Sequence, residues 1–199
     1  SNYFRELFEL YKTQLESEVI FENKYLDHTD YKNIVTVALR LPEFEWAENF
    51  ISNYKEKIEP QNRENAFNFN LASYYFAKKD FDKVIDTLRF LRFDDIYYEL
   101  SARQLLLKTY YEIQEFDSLN YAIQSFRIYL VRNKKISPSN RNGYINMLRI
   151  FKKIASLKDR SNLISETEFK RRCDKIEVLL NADEHIANLS WLKGTLYPN

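Results

Sequence analysis

Apolar residues return every three or four positions along nearly the whole chain, the spacing of helices that bury one stripe. The first run covers residues 3–22, with Phe4, Leu7, Phe8, Leu10, Tyr11 and Leu15 in rhythm. Asp27 and Thr29 then offer caps for a helix reaching Leu41. Pro42 suits the first turn of the next helix, where its missing N–H costs nothing. That helix stops before Pro60, which opens a longer one to Lys79. Asp80 caps a helix to about Arg92, and Asp94-Asp95 caps another to about Tyr111. Further breaks fall at Gln114-Glu115, at 136–143, at 158–162 and at Ala182-Asp183. The last stretch, with Ile186, Leu189, Trp191, Leu192 and Leu196, reads as a short apolar helix. The pattern predicts an all-α chain of about ten helices and no strand, with short loops that fold neighbours into antiparallel hairpins.

Composition sharpens this. Two glycines and four prolines in 199 residues cannot supply the positive-φ turns of a β-rich or dinucleotide-binding domain. The 45% hydrophobic and 30% charged content is that of a globular chain with a proper core. No run approaches the roughly 18 to 20 apolar residues that cross a membrane, so no membrane partner is expected. The start, SNYFRELFEL, has neither the basic opening nor the apolar run of a secretory signal, and the only methionine is Met147. We therefore expect the C-terminal part of a longer protein. A single cysteine, Cys173, excludes an internal disulfide and suits the reducing cytoplasm.

The sequence also repeats itself. LASYYFAKKDFDKVIDTLRFL (71–91) lies over LLKTYYEIQEFDSLNYAIQSF (106–126) without a gap, at a spacing of 35 residues. Tyr75 matches Tyr110, Phe81-Asp82 matches Phe116-Asp117, and Val84, Leu88 and Leu91 match Leu119, Ile123 and Phe126. A further copy, with Phe44, Ala47, Ile51 and Tyr54 in the same places, stands 37 residues earlier. This pattern resembles the tetratricopeptide repeat, a helix-turn-helix of about 34 residues. Leu71-Ala72, Tyr75 and the KKDFDKVI segment across the turn carry the likeness. The resemblance implies a right-handed α-α superhelix with units at 28–60, 65–98 and 100–133, a divergent unit at 138–182, and a capping helix at 184–197. In such a stack the first helix of each unit lines a concave groove that binds peptides or protein segments. The residues placed there are Lys32 and Thr36, then Phe69, Ser73 and Phe76, then Gln104, Lys108 and Tyr111. Phe69 and Phe76 also suit packing against the neighbouring unit.

Charge is unevenly spread. Residues 1–60 hold seven basic and twelve acidic side chains, whereas 127–175 hold fourteen basic and four acidic. Arg141, Arg149, Lys152, Lys153, Arg171 and Arg172 make a candidate basic patch for an acidic partner or, as the alternative, for nucleic acid. Chemistry is hard to find. The two glycines form no phosphate-cradling loop, and neither His28 nor His185 stands in a paired motif. Asp27, His28 and Asp30 sit where a helix cap is wanted. Cys173 has basic neighbours, Arg171, Arg172 and Lys175, that favour a thiolate, but no evident base accompanies it. The sequence therefore predicts a non-catalytic module without cofactor or metal. Its expected partner is a protein or peptide, the remainder of its own chain included.

Overall fold

The computed structural model describes residues 2–91, 95–182 and 185–197. Among them are ten α-helices and one two-stranded hairpin, so the chain is all-α apart from four strand residues. Asp94, Asp183 and the first residue of the expected capping helix lie outside the described residues. No described helix is long and apolar enough to cross a membrane. Contacts divide the chain into two units, Ser1–Thr109 and Tyr110–Asn199.

The first unit holds α1 (Asn2–Glu16), β1 (Phe21–Glu22), β2 (Tyr25–Leu26), α2 (His28–Arg40), α3 (Phe44–Asn53), α4 (Pro60–Ala77), α5 (Phe81–Leu88) and most of α6 (Ile96–Glu112). Three sequence expectations change here. The first helix ends six residues early, because Glu18 turns left-handed at φ 58°. Residues 21–26 then form a hairpin whose two loop residues, Asn23 and Lys24, both take positive φ, as a tight I′ turn demands. Pro42 stands in the turn before α3 and not in its first turn. Asp27 caps α2 as expected, accepting from the backbone N–H groups of Thr29 and Asp30.

Packing follows the apolar stripes. α2 packs on α3, α3 on α4, α2 on α4 and α4 on α5, so helices consecutive in the chain are neighbours in the first unit. Tyr31, Ile34, Ile51, Ile58, Ala66 and Ala72 form its centre. Trp46 lies edge-on to Phe8 at 4.7 Å and stacks on Phe50 at 5.1 Å. The buried Tyr31 hydroxyl donates to the Ile51 carbonyl at 2.6 Å, which satisfies the one polar atom that this ring carries inside.

The second unit contains α7 (Phe116–Arg132), α8 (Pro138–Asp159), α9 (Glu166–Leu180) and α10 (Leu189–Leu196). α8 packs against α7 and α9, and α10 closes on α8 and α9. Phe126, Leu130, Met147, Ile150 and Phe151 are fully buried. Phe151 meets Tyr111 at 5.4 Å and Trp191 at 4.7 Å. Gly143 has a packing reason: a Cβ there would lie 2.8 Å from the His185 ring. The same segment is tied to α8 by Ala187 N–H to the Gly143 carbonyl and Asn146 Nδ2 to the His185 carbonyl.

The repeat seen in the sequence reappears as one turn built three times. The N–H of Glu43, Asp80 and Glu115 donates to the carbonyl five residues back, on Ala38, Tyr75 and Tyr110, at 3.0, 2.9 and 3.0 Å. The carbonyls of the same three residues then accept from Ala47, Val84 and Leu119, each of which is buried. Spacing of 37 and 35 residues is thus the spacing of equivalent turns. Lys79 and Gln114 occupy the left-handed position just before, at φ 60° and 59°. Both donate to the carbonyl three residues back, which Pro42 at the corresponding place cannot do. A side chain at positive φ costs about 1 kcal/mol that glycine avoids. Lys79→Gly and Gln114→Gly are each expected to stabilise by about 0.5–1 kcal/mol, read from the midpoint of urea unfolding. A loss of stability in both would mean that the left-handed turns do not form.

A second internal copy escapes the 35-residue register. IEPQNR (58–63) and ISPSNR (136–141) open α4 and α8 in the same way. In each, a buried Ile precedes a Pro at the first helical turn, and an Arg folds back on the Ile carbonyl. Arg63 donates to Ile58 through Nε and Nη2 and to Glu56 through Nη2, at 3.1–3.2 Å. Arg141 Nη2 donates to Asn133 and Ile136 at 3.1 and 3.0 Å. The guanidinium gives the Ile carbonyl, which stands ahead of the helix's own bonding pattern, a charged donor.

Candidate functional site

The expected groove residues of the first unit are largely occupied by one another. Lys32 Nζ donates to Ser101 Oγ at 2.7 Å and lies 5.0 Å from the centre of the Phe69 ring and 5.8 Å from that of Tyr98. Tyr98 in turn reaches back to the His28 carbonyl and meets Phe69 edge-on. The start of α6 therefore sits against the faces of α2 and α4 that the sequence assigned to a ligand. Burial pushes the Lys32 amine below its ordinary value, and Asp95 offsets part of that shift. Phe69 is buried, and Phe76 is covered edge-on by Phe81 at 5.6 Å. Ser73 and Thr36 return their hydroxyls to their own helices, at Phe69 and Lys32. Gln104 bonds the Leu100 carbonyl. Tyr111 belongs to the second unit, where it is buried against Phe151 with Lys158 Nζ 4.2 Å from its ring centre. Only Thr36 of the eight is exposed.

Lys108 is half-buried, and burial, with the Arg40 charge adding to it, brings its amine down to about 8. A lysine whose value falls on folding opposes folding fully while it is protonated in both states, below pH 8. Between about pH 8 and its ordinary 10.5 the unfolded chain holds a proton that the folded chain has released, so stability rises with pH. The expected gain from pH 7.5 to 9.5 is about 1–2 kcal/mol, with Lys32 adding in the same direction. Above about pH 10 the raised tyrosines Tyr31 and Tyr98 reverse the trend, because they ionise first in the unfolded chain. Urea unfolding of Lys108→Met across this window should show a clearly flatter rise; an unchanged slope would place the amine in water.

The chemistry-bearing candidates are committed elsewhere. The Asp27 carboxylate caps α2, and among the described residues no group of three His, Cys, Asp or Glu side chains is placed to hold a metal. Cys173 is buried, and burial with Asp174 pushes its thiol up, opposite to the thiolate that its sequence neighbours suggested. Those neighbours turn away: Arg171 and Arg172 both bind Glu168, at 2.7 and 2.6 Å, and hold its carboxyl down to about 2. His185 Nδ1 faces the Ser139 carbonyl at 3.2 Å.

What the second unit does offer is a trough. α7 and α9 flank α8, and between them lies a cleft of about 630 Å³. Half-buried Ile145 and Leu179, with the edges of the buried Ile123, Leu148, Leu157 and Ile176, supply its aliphatic surface. Arg127 from α7, Arg149, Lys152 and Lys153 from α8, and Arg172 and Lys175 from α9 supply six cations. Gln124 and Ser156 complete the lining, which contains no carboxylate. Among the described residues Arg127, Lys152, Lys153 and Lys175 make no ion pair. A second, more polar cleft of about 600 Å³ continues from it, sharing Gln124, Lys152 and Ser156 and adding Asp117, Tyr121, Asp159 and Arg160. The two clefts adjoin along α7 and α8 through these three shared residues.

The trough gathers Arg149, Lys152, Lys153 and Arg172 from the expected basic patch. It excludes Arg141, whose guanidinium is folded onto Asn133 and Ile136, and Arg171, which is turned to Glu168. Arg127 and Lys175 bound the basic segment 127–175 read from the sequence but stand outside its six-residue patch, and sequence reasoning missed the aliphatic floor. The signal was present in α8, where Ile145, Leu148, Arg149, Lys152, Lys153 and Ser156 follow a helical stripe. No protein family matches the sequence, and no curated protein or solved structure is detectably similar to it.

Proposed function

We propose that the chain is a non-catalytic interaction module, a right-handed α-α superhelix of tetratricopeptide-like hairpins, that holds an acidic segment of a partner protein in the α7–α9 trough. The observation that carries this reading is the lining of the 630 Å³ cleft: six cations around six aliphatic side chains, with no carboxylate among them. Four of them, Arg127, Lys152, Lys153 and Lys175, make no ion pair among the described residues, and like charges so gathered repel one another unless an anionic partner neutralises them. The aliphatic floor asks that partner to bring apolar side chains as well. The threefold turn geometry supports the tetratricopeptide-like plan.

Nucleic acid would also answer the charge, but single strands gain affinity by stacking bases on aromatic rings. The floor of the 630 Å³ cleft is built of Ile and Leu, and the rings nearby, Phe116 and Tyr121, line only the second cleft. The test uses fluorescence anisotropy with a labelled 16-residue peptide of Leu, Ala and Glu, against a labelled single-stranded 20-nucleotide RNA. The peptide should bind the wild-type chain. The double variant Lys152→Glu/Lys175→Glu, altered at two exposed positions, should bind it at least about tenfold more weakly, the effect of roughly 1.4 kcal/mol. RNA binding that is tighter than peptide binding, with a steep salt dependence, would overturn the proposal.

A further inference from the structure

We infer that the segment held in the trough is an amphipathic α-helix of about four turns, its apolar stripe on the aliphatic floor and carboxylates along both flanks. This rests on the partner-binding reading above and specifies the form in which the partner binds. Three features of the trough lead to it.

The first is the supply of hydrogen bonds. Floor and walls are α-helices, whose backbone N–H and C=O groups are already paired within α7, α8 and α9. An extended peptide gains its affinity by adding main-chain hydrogen bonds to an open strand edge, and none borders this cleft. Its own peptide groups would need partners from side chains, and of the cleft's polar lining only Gln124 and Ser156 are uncharged. A helix brings its backbone satisfied and needs only side-chain complementarity.

The second is length. The lining residues of α8 run from Ile145 to Arg160, about 22 Å at 1.5 Å per residue. That matches a helix of about 15 residues lying along α8. A compact ligand would fill only one of the two joined clefts.

The third is the placing of charge. Arg127 comes from one wall and Arg172 and Lys175 from the other, with the α8 cations between. Cations on both walls of the 630 Å³ cleft call for carboxylates on both flanks of an apolar stripe there, the charge pattern of an acidic amphipathic helix. The end lying over the second cleft meets Asp117 and Asp159 and carries no acidic residue.

The test compares three labelled 16-residue peptides, built of Leu, Ala and Glu apart from two prolines in the third. The first sets Leu at i, i+3, i+4 and i+7. The second alternates Leu and Glu with strand periodicity. The third is the first with two central residues replaced by Pro, which prevents a helix. Anisotropy reports binding to the full chain, and circular dichroism reports helix gained by the peptide. The expected result is that the first binds at least tenfold more tightly than the other two and gains helix on binding. Lys152→Glu/Lys175→Glu should weaken it about tenfold, and Leu148→Asp should weaken it more. Because Leu148→Asp can unfold the second unit, Gln124→Glu at an exposed wall position serves as a folded control and should also weaken binding. Equal binding of the alternating or Pro-containing peptide, lost in the charge variants, overturns the helical form while leaving the trough as an acidic-peptide site. Failure of all three peptides to bind overturns both.

Discussion

Phe151→Ala is expected to cost about 3–5 kcal/mol of unfolding free energy, the largest single effect in the second unit. The side chain is fully buried on α8 and touches Tyr111 and Trp191, so it joins the end of α6 and the terminal helix to one element. Removing the ring forfeits its transfer out of water and leaves a cavity between helices that cannot collapse without shifting their axes. Phe151→Leu keeps much of the volume and should lose less than about half as much. Urea unfolding followed by circular dichroism measures both. A loss under about 1 kcal/mol for the alanine variant would mean that α10 does not rest on this ring.

Arg63→Met comes next, with an expected loss of about 2 kcal/mol, because hydrogen bonds from a charged group are worth about 1.5–3 kcal/mol and those to the Ile58 carbonyl are part-buried. Arg63 serves two carbonyls through three bonds and also pairs with Glu56 at 2.7 Å. The ion pair adds little, since Glu56 stands in water. The matching Arg141→Met should cost less. Arg141 makes two such bonds and buries its Nε with no partner among the described residues, a penalty that methionine removes. Lysine should restore only part of either loss, since a single ammonium lacks the guanidinium fork. If Arg63→Met and Arg141→Met both unfold at the wild-type midpoint, the shared IxPxNR pattern has no structural role.

Much of the architecture was legible because helices announce themselves by period. The breaks at Asp27, Pro60, Asp80 and Asp95 were readable from cap and proline chemistry, and helices begin within one residue of each. The spacing of 35 and 37 residues was readable because each turn buries the same stripe of Ala47, Val84 and Leu119. The hairpin at 21–26 was not, since two paired residues per strand leave too short an alternation to register against helical neighbours. The site was harder. Groove residues were assigned by analogy with an open stack, and only tertiary packing reveals that Tyr98 and Ser101 already engage Lys32 and Phe69. Arg141 looked like its basic neighbours because sequence carries charge but not direction. Its Pro138 and Ile136 context, shared with Arg63, was the available clue.

The chain's two tryptophans have a practical consequence. Trp46 is packed between Phe8 and Phe50 in the first unit, and Trp191 rests on Phe151 in the second. Each half of the molecule thus carries its own fluorophore. Replacing either indole by phenylalanine leaves an emission spectrum that reports on one half alone, so the order in which the halves melt can be watched optically without attaching a dye.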